Sequence, residues 1–163
     1  MGDQILCAPE ELASAGVKFS EKALQVLDIH SNLNGFSQTL HDSLPNENAQ
    51  ISIDKFWSNW SKLLLDMAVE IENIGILLAN AAVAYLNSDE AIIKAFHGDQ
   101  AAHDAITGDL NKVKDDKDKF DQKFNQEKQA DDAVHAQEKQ DKKEEQDAQD
   151  QAFNDAVNSQ VQP

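Results

Sequence analysis

Five histidines, His30, His41, His97, His103 and His135, are the side chains of this 163-residue chain best suited to holding a metal or moving a proton. None stands at a metal-ligand spacing from a second ligand type, and the Glu-x-x-His pair of a di-iron helical bundle does not occur. His97 and His103 gather with Asp99 and Asp104 around Gly98, a pattern that reads as an exposed loop. Asp66, Glu70 and Glu72 resemble paired acids, but Asp66 and Glu70 are four apart on one helical face and read as its solvated side. Cys7, the single cysteine, has no basic or histidine neighbour in sequence to activate it, and alone it excludes an intrachain disulfide and a cysteine-based zinc site. There is no Gly-rich phosphate loop and no Gly-x-Ser-x-Gly elbow. The expectation is therefore no catalytic residue, no metal, no cofactor and no enzymatic activity. What remains is recognition: Tyr85 and Asp89 are also four apart, so on a helix they present a ring and a carboxylate together.

The elements that must position these residues are helices. Ala8-Pro9-Glu10-Glu11 suits a first turn, with proline where no amide partner is needed and two carboxylates beside exposed N–H groups. Leu12, Ala15 or Gly16, Phe19, Ala23, Val26, Leu33 and Leu40 then recur at helical steps, with His30 and Phe36 or Ser37 filling the gaps. Asn32, Asn34 and Gly35 predict a bend or break in the middle, and Leu44-Pro45-Asn46-Glu47-Asn48 predicts a loop. A second helix, capped by Ser52 or Asp54, carries a seam of Phe56, Trp60, Leu63, Met67, Ile71, Ile74, Leu78, Ala81 and Tyr85. Its steps are all threes and fours. Leu64, Leu65, Val69, Ile76, Leu77 and Val83 widen the apolar face, so this helix must be covered on more than one side. The fold class is all-α, a long antiparallel helical hairpin over residues 1–95. The surplus apolar width predicts a second hairpin packed against it.

All six glycines lie at or before Gly108, and residues 109–163 carry 15 acids against 9 lysines with sparse apolar side chains. Residues 96–163 thus read as a charged C-terminal extension, partly helical or disordered. The whole chain has 30 acidic residues, 14 lysines, no arginine and a net charge of −16. That balance makes nucleic acid and anionic membrane poor partners. The unbroken apolar runs, such as 74–79 and 81–85, fall short of the roughly 20 residues of a bilayer span, so no transmembrane segment is expected. Residues 1–11 lack the basic start and apolar block of a Sec signal.

Ile5 to Leu12 leading into a helix, a central loop, Phe56-Trp57-Ser58-Asn59-Trp60 opening a second helix, and Ala81 to Asp89 closing it together resemble the WxG-motif, early-secreted-antigen-like substrates of type VII secretion, over residues 5–95. The eponymous Trp-x-Gly turn is missing, with Trp57-Ser58-Asn59 placing asparagine where glycine would sit, so the resemblance is to a divergent branch. It implies a helical hairpin that pairs into a four-helix homodimer or heterodimer. It also implies export in a folded state from the cytoplasm by a non-Sec route, to the surface or the medium, with Tyr85 and Asp89 as a Tyr-x-x-x-Asp signal read by the membrane ATPase. Phe56, Trp57, Trp60, Leu63, Met67, Ile71, Ile74 and Leu78 are then the partner-packing residues. Residues 1–108 carry 15 acids and 5 lysines, so two identical hairpins would repel and a heterodimer is favoured, with a related hairpin or a larger secreted effector as its other member. The alternatives are a structural coiled-coil protein with a charged spacer, and an intracellular adaptor for one cognate secreted toxin.

Overall fold

The computed structural model describes residues 8–88 and 100–160. The described residues form three helices, α1 (Pro9–Ser43), α2 (Glu47–Ser88) and α3 (Gln100–Gln160), and no strand. Two compact units divide them, residues 1–127 and 128–163. In the second unit, residues 128–160 are helical, with Gln140 donating to Glu144 one turn on (3.1 Å).

In the first unit α1 opens as the sequence predicts, with Pro9 at the first turn, Glu10 and Glu11 beside the free amides and the amide of Glu11 bonded to the Ala8 carbonyl. It then runs through Gly35 to Ser43 without a break. One glycine costs only about 1 kcal/mol against alanine, which the flanking helical turns outweigh. The connection to α2 is short. Asn46, rather than Ser52 or Asp54, caps α2, its side-chain oxygen accepting from the amide of Asn48 (2.9 Å). Gln50 reaches back to the carbonyls of Leu44 (2.8 Å) and His41 (3.3 Å), tying the turn to both helices.

α1 and α2 are antiparallel, as Ala13 with Ala82, His30 with Ser61 and His41 with Asp54 show. Their seam is made of small residues. A Cβ placed on Gly16 would stand 3.0 Å from the Gly75 carbonyl, and one on Gly75 would stand 3.0 Å from the Gly16 carbonyl, so backbone approaches backbone there. Ala13, Ser20 and Ala23 on α1 and Ala68, Ala79 and Ala82 on α2 extend this close contact along the hairpin, all of them buried.

The start of α3 forms the third wall, parallel to α1. Ile106 joins Ala13 and Ala82; Val113 joins Val17 and Ala79; Phe120 joins Ala23, Leu27, Leu64, Leu65 and Ala68, with Phe124 stacked on it at 5.7 Å. Lys112 pairs with Glu21 and Lys123 with Asp28, so lysines of α3 meet acids of α1. The compact unit therefore extends to Glu127, beyond the boundary expected at residue 95. A few large side chains about two turns apart suffice to dock α3, because the small-residue seam leaves a groove for each of them. α3 covers this side of the hairpin, and the opposite apolar side of α2 stays open.

Candidate functional site

Between the apolar layers of this bundle lie two polar ones. In the first, each helix contributes one member of a hydrogen-bonded chain: Ser61 Oγ to His30 Nε2 (2.8 Å) and His30 Nδ1 to Glu127 Oε2 (2.8 Å). The Trp57 ring lies beside the imidazole, centroids 5.3 Å apart. The connectivity is that of a nucleophile, base and acid. Ser61 and His30 are 0% and 1% exposed, so a substrate has no route to the hydroxyl as it stands. What the arrangement does is hold three helices in one axial register, since a slip by one turn would strand buried polar groups. Sequence reasoning missed it because its members are 31 and 97 positions apart and no motif links them.

The second polar layer, Ser20, Glu72 and Asp116, is not satisfied. Ser20 Oγ, both oxygens of Glu72 and Asp116 Oδ2 are buried without a hydrogen-bond partner. Burial pushes the Glu72 carboxyl above its ordinary range; Ser20 and Lys117 oppose this, while Asp121 and Asp116 add to it.

The predicted partner-packing residues divide between two faces. Trp57 turns inward, 9% exposed and part of the largest apolar cluster. Phe56 and Leu63 are 61% and 55% exposed, and Trp60, Met67 and Ile74 stand open beside them, with Ile71 and Leu78 half-buried. Phe56 and Trp60 rest against each other, 6.0 Å between centroids. Over about five turns Phe56, Trp60, Leu63, Met67 and Ile74 form one outward apolar stripe, with Ile71 at its edge packed on the core. Tyr85, 18 residues or about five turns beyond Met67 at 3.6 residues per turn, falls on the same line and is partly exposed. Asp89 lies outside the described residues, as do His97 and Cys7.

Along the flank of the stripe run exposed Lys55, Lys62, Asp66 and Glu70, two of each sign; Asp66 and Glu70 are solvated as the sequence predicts, and Lys62 pairs with Asp66. Residues 47–86 are also long and apolar enough, by length and composition, to cross a membrane, and 28% of their most apolar window is buried inside the protein. The shorter apolar runs counted in the sequence understate this, since the polar residues between them are few and mostly uncharged. Among the described residues no group of three or more histidine, cysteine, aspartate or glutamate side chains could hold a metal ion. No family model matches the sequence, and neither a curated protein nor a solved structure matches it.

Proposed function

We propose that the chain is a type VII secretion substrate, or the targeting partner of a larger secreted effector, which works by pairing with another helical hairpin and by offering a Tyr-x-x-x-Asp signal, Tyr85 and Asp89, to the membrane ATPase. Its role is recognition. The observation that carries this reading is the uncovered apolar stripe of α2, which runs in register into Tyr85. A contiguous apolar surface of this kind marks a site of association.

From Phe56 to Tyr85 the stripe is about 44 Å long at 1.5 Å per residue, and helix-sized contact about 10 Å wide gives about 440 Å² per partner. Two such faces bury about 900 Å², just under the ~1,000 Å² floor of a specific interface. A single helix is therefore a thin partner, and a hairpin, touching with two helices, suits the stripe better. The chain's net charge of −16 favours a related but less acidic hairpin over a second copy. Such a protein folds in the cytoplasm and reaches the surface or the medium without the Sec route.

A second reading, a structural coiled-coil protein with a charged spacer, draws on α3 continuing as helix to Gln160. Export separates the two. With Tyr85→Ala the protein should vanish from the culture supernatant and keep its helical content; a supernatant level equal to wild type would remove the signal from the proposal. A protein confined to the cell pellet while its type VII system is active supports the spacer reading.

A further inference from the structure

The polar layer of Ser20, Glu72 and Asp116 is sandwiched between Val17, Ala79 and Val113 on one side and Ala23, Ala68 and Phe120 on the other. Glu72 is 3% exposed, Asp116 4% and Ser20 0%. With both acids ionised, this layer holds three unpartnered carboxylate oxygens and a single hydroxyl donor. It is short of hydrogens. Two lysines of α3 lie within reach, but Lys119 Nζ is bonded to the other oxygen of Asp116 (2.9 Å) and Lys117 to Asp121. Both are already committed to aspartates of their own helix.

We infer that this layer is a proton-binding site, in which uptake of one proton by Glu72 tightens the docking of α3 on the hairpin. The added proton removes the desolvated charge of Glu72, while its other oxygen remains within the influence of the Ser20 hydroxyl, the one donor that bears on it. One proton thus removes a buried charge from a layer that is short of donors. The groups that face Glu72 fix the direction of the effect. From α1 there is uncharged Ser20; from α3 there are Asp116, Lys117 and Asp121, two acids against one lysine that is itself paired. Desolvation and the two acids hold the folded-state value of Glu72 above its unfolded one. The folded unit therefore binds the proton more tightly than the unfolded chain. That contribution to stability is fully present below the unfolded value and is lost as pH rises through the folded one.

The test is thermal unfolding of the full chain, wild type and Glu72→Gln, at constant ionic strength between about pH 5 and about pH 8. Because the chain carries −16, acidification relieves repulsion in both proteins, so the difference between them is what is read. Glutamine keeps the shape and brings its own donor. It should melt above wild type at the alkaline end by about 2–8 °C, and the gap should close as pH falls. Parallel curves would overturn the inference. Should Glu72→Gln fail to fold, a carboxyl NMR titration of the wild-type chain decides: a Glu72 midpoint above the ordinary glutamate range supports the site, and one at or below it overturns it. Melting wild type at the alkaline end in calcium or magnesium chloride covers the competing ligand. A rise absent in Glu72→Gln would assign the layer to a divalent cation and overturn the proton assignment.

Discussion

Glu127→Ala tests the docking of α3 with a predicted sign. Glu127 is the last residue of the first compact unit and accepts the hydrogen bond of His30 Nδ1 at 2.8 Å. The imidazole is 1% exposed, so water cannot take over the lost contact, and a buried group stripped of its partner costs about 1–3 kcal/mol. The Glu127 side chain is itself 13% exposed, so it pays some desolvation in the folded state that alanine avoids, which brings the expected loss to about 1–2 kcal/mol. In a chain of this size that lowers Tm by about 2–8 °C. On an undocked α3 the same change would be glutamate to alanine on an exposed helix, neutral or slightly stabilising, because alanine is the better helix former. Urea unfolding followed by far-ultraviolet circular dichroism reads the difference, and a double-mutant cycle with His30→Ala should return a coupling of about 1 kcal/mol. A Glu127→Ala protein within about 0.5 kcal/mol of wild type, or an additive cycle, would refute the three-helix packing.

The remaining predictions contrast pairs of positions. Gly75→Ala places a methyl 2.8 Å from Ser20 Oγ and 3.0 Å from the Gly16 carbonyl and should destabilise by about 1–3 kcal/mol, whereas Gly35→Ala meets nothing within 4 Å and should stabilise by about 0.5–1 kcal/mol; denaturant midpoints separate them. Trp57→Ala opens the core beside His30 and should cost about 3–5 kcal/mol, while Trp60→Ala, on the open stripe, should leave the isolated chain's stability within about 0.5 kcal/mol. Leu63→Glu and Met67→Glu should leave circular dichroism unchanged and abolish co-elution with the partner hairpin in size-exclusion chromatography with light scattering. Retained co-elution would move the interface off the stripe.

The helical hairpin was legible because strong periodicity, proline at Pro9 and Pro45, and the acids of the first turn all act locally. Its internal seam was not. Periodicity draws the eye to Phe56, Trp60, Leu63 and Met67, yet these face outward, because the two helices approach through Gly16, Ser20, Gly75 and Ala79, where small size permits close backbone contact. Large side chains at that crossing would hold the helices apart. The docking of α3 was hidden for a related reason. Ile106, Val113 and Phe120 are too sparse to signal a core by composition, but each fills a groove prepared by small residues on the hairpin. The polar layers depend on residues from all three helices meeting at one level, which follows from the packing and from no motif. The outward stripe itself, Phe56, Trp60, Leu63, Met67 and Ile74 running into Tyr85, was visible from the sequence because its apolar register is local to one helix.

Export is the most direct test of the central claim. In a strain that makes this chain, the measurement is its amount in culture supernatant with the type VII membrane ATPase present and deleted, against a cytoplasmic marker for lysis. The account predicts that the supernatant pool disappears on deletion and that Tyr85→Ala reproduces the loss while the intracellular protein stays folded. A supernatant pool unaffected by removing the ATPase would contradict it.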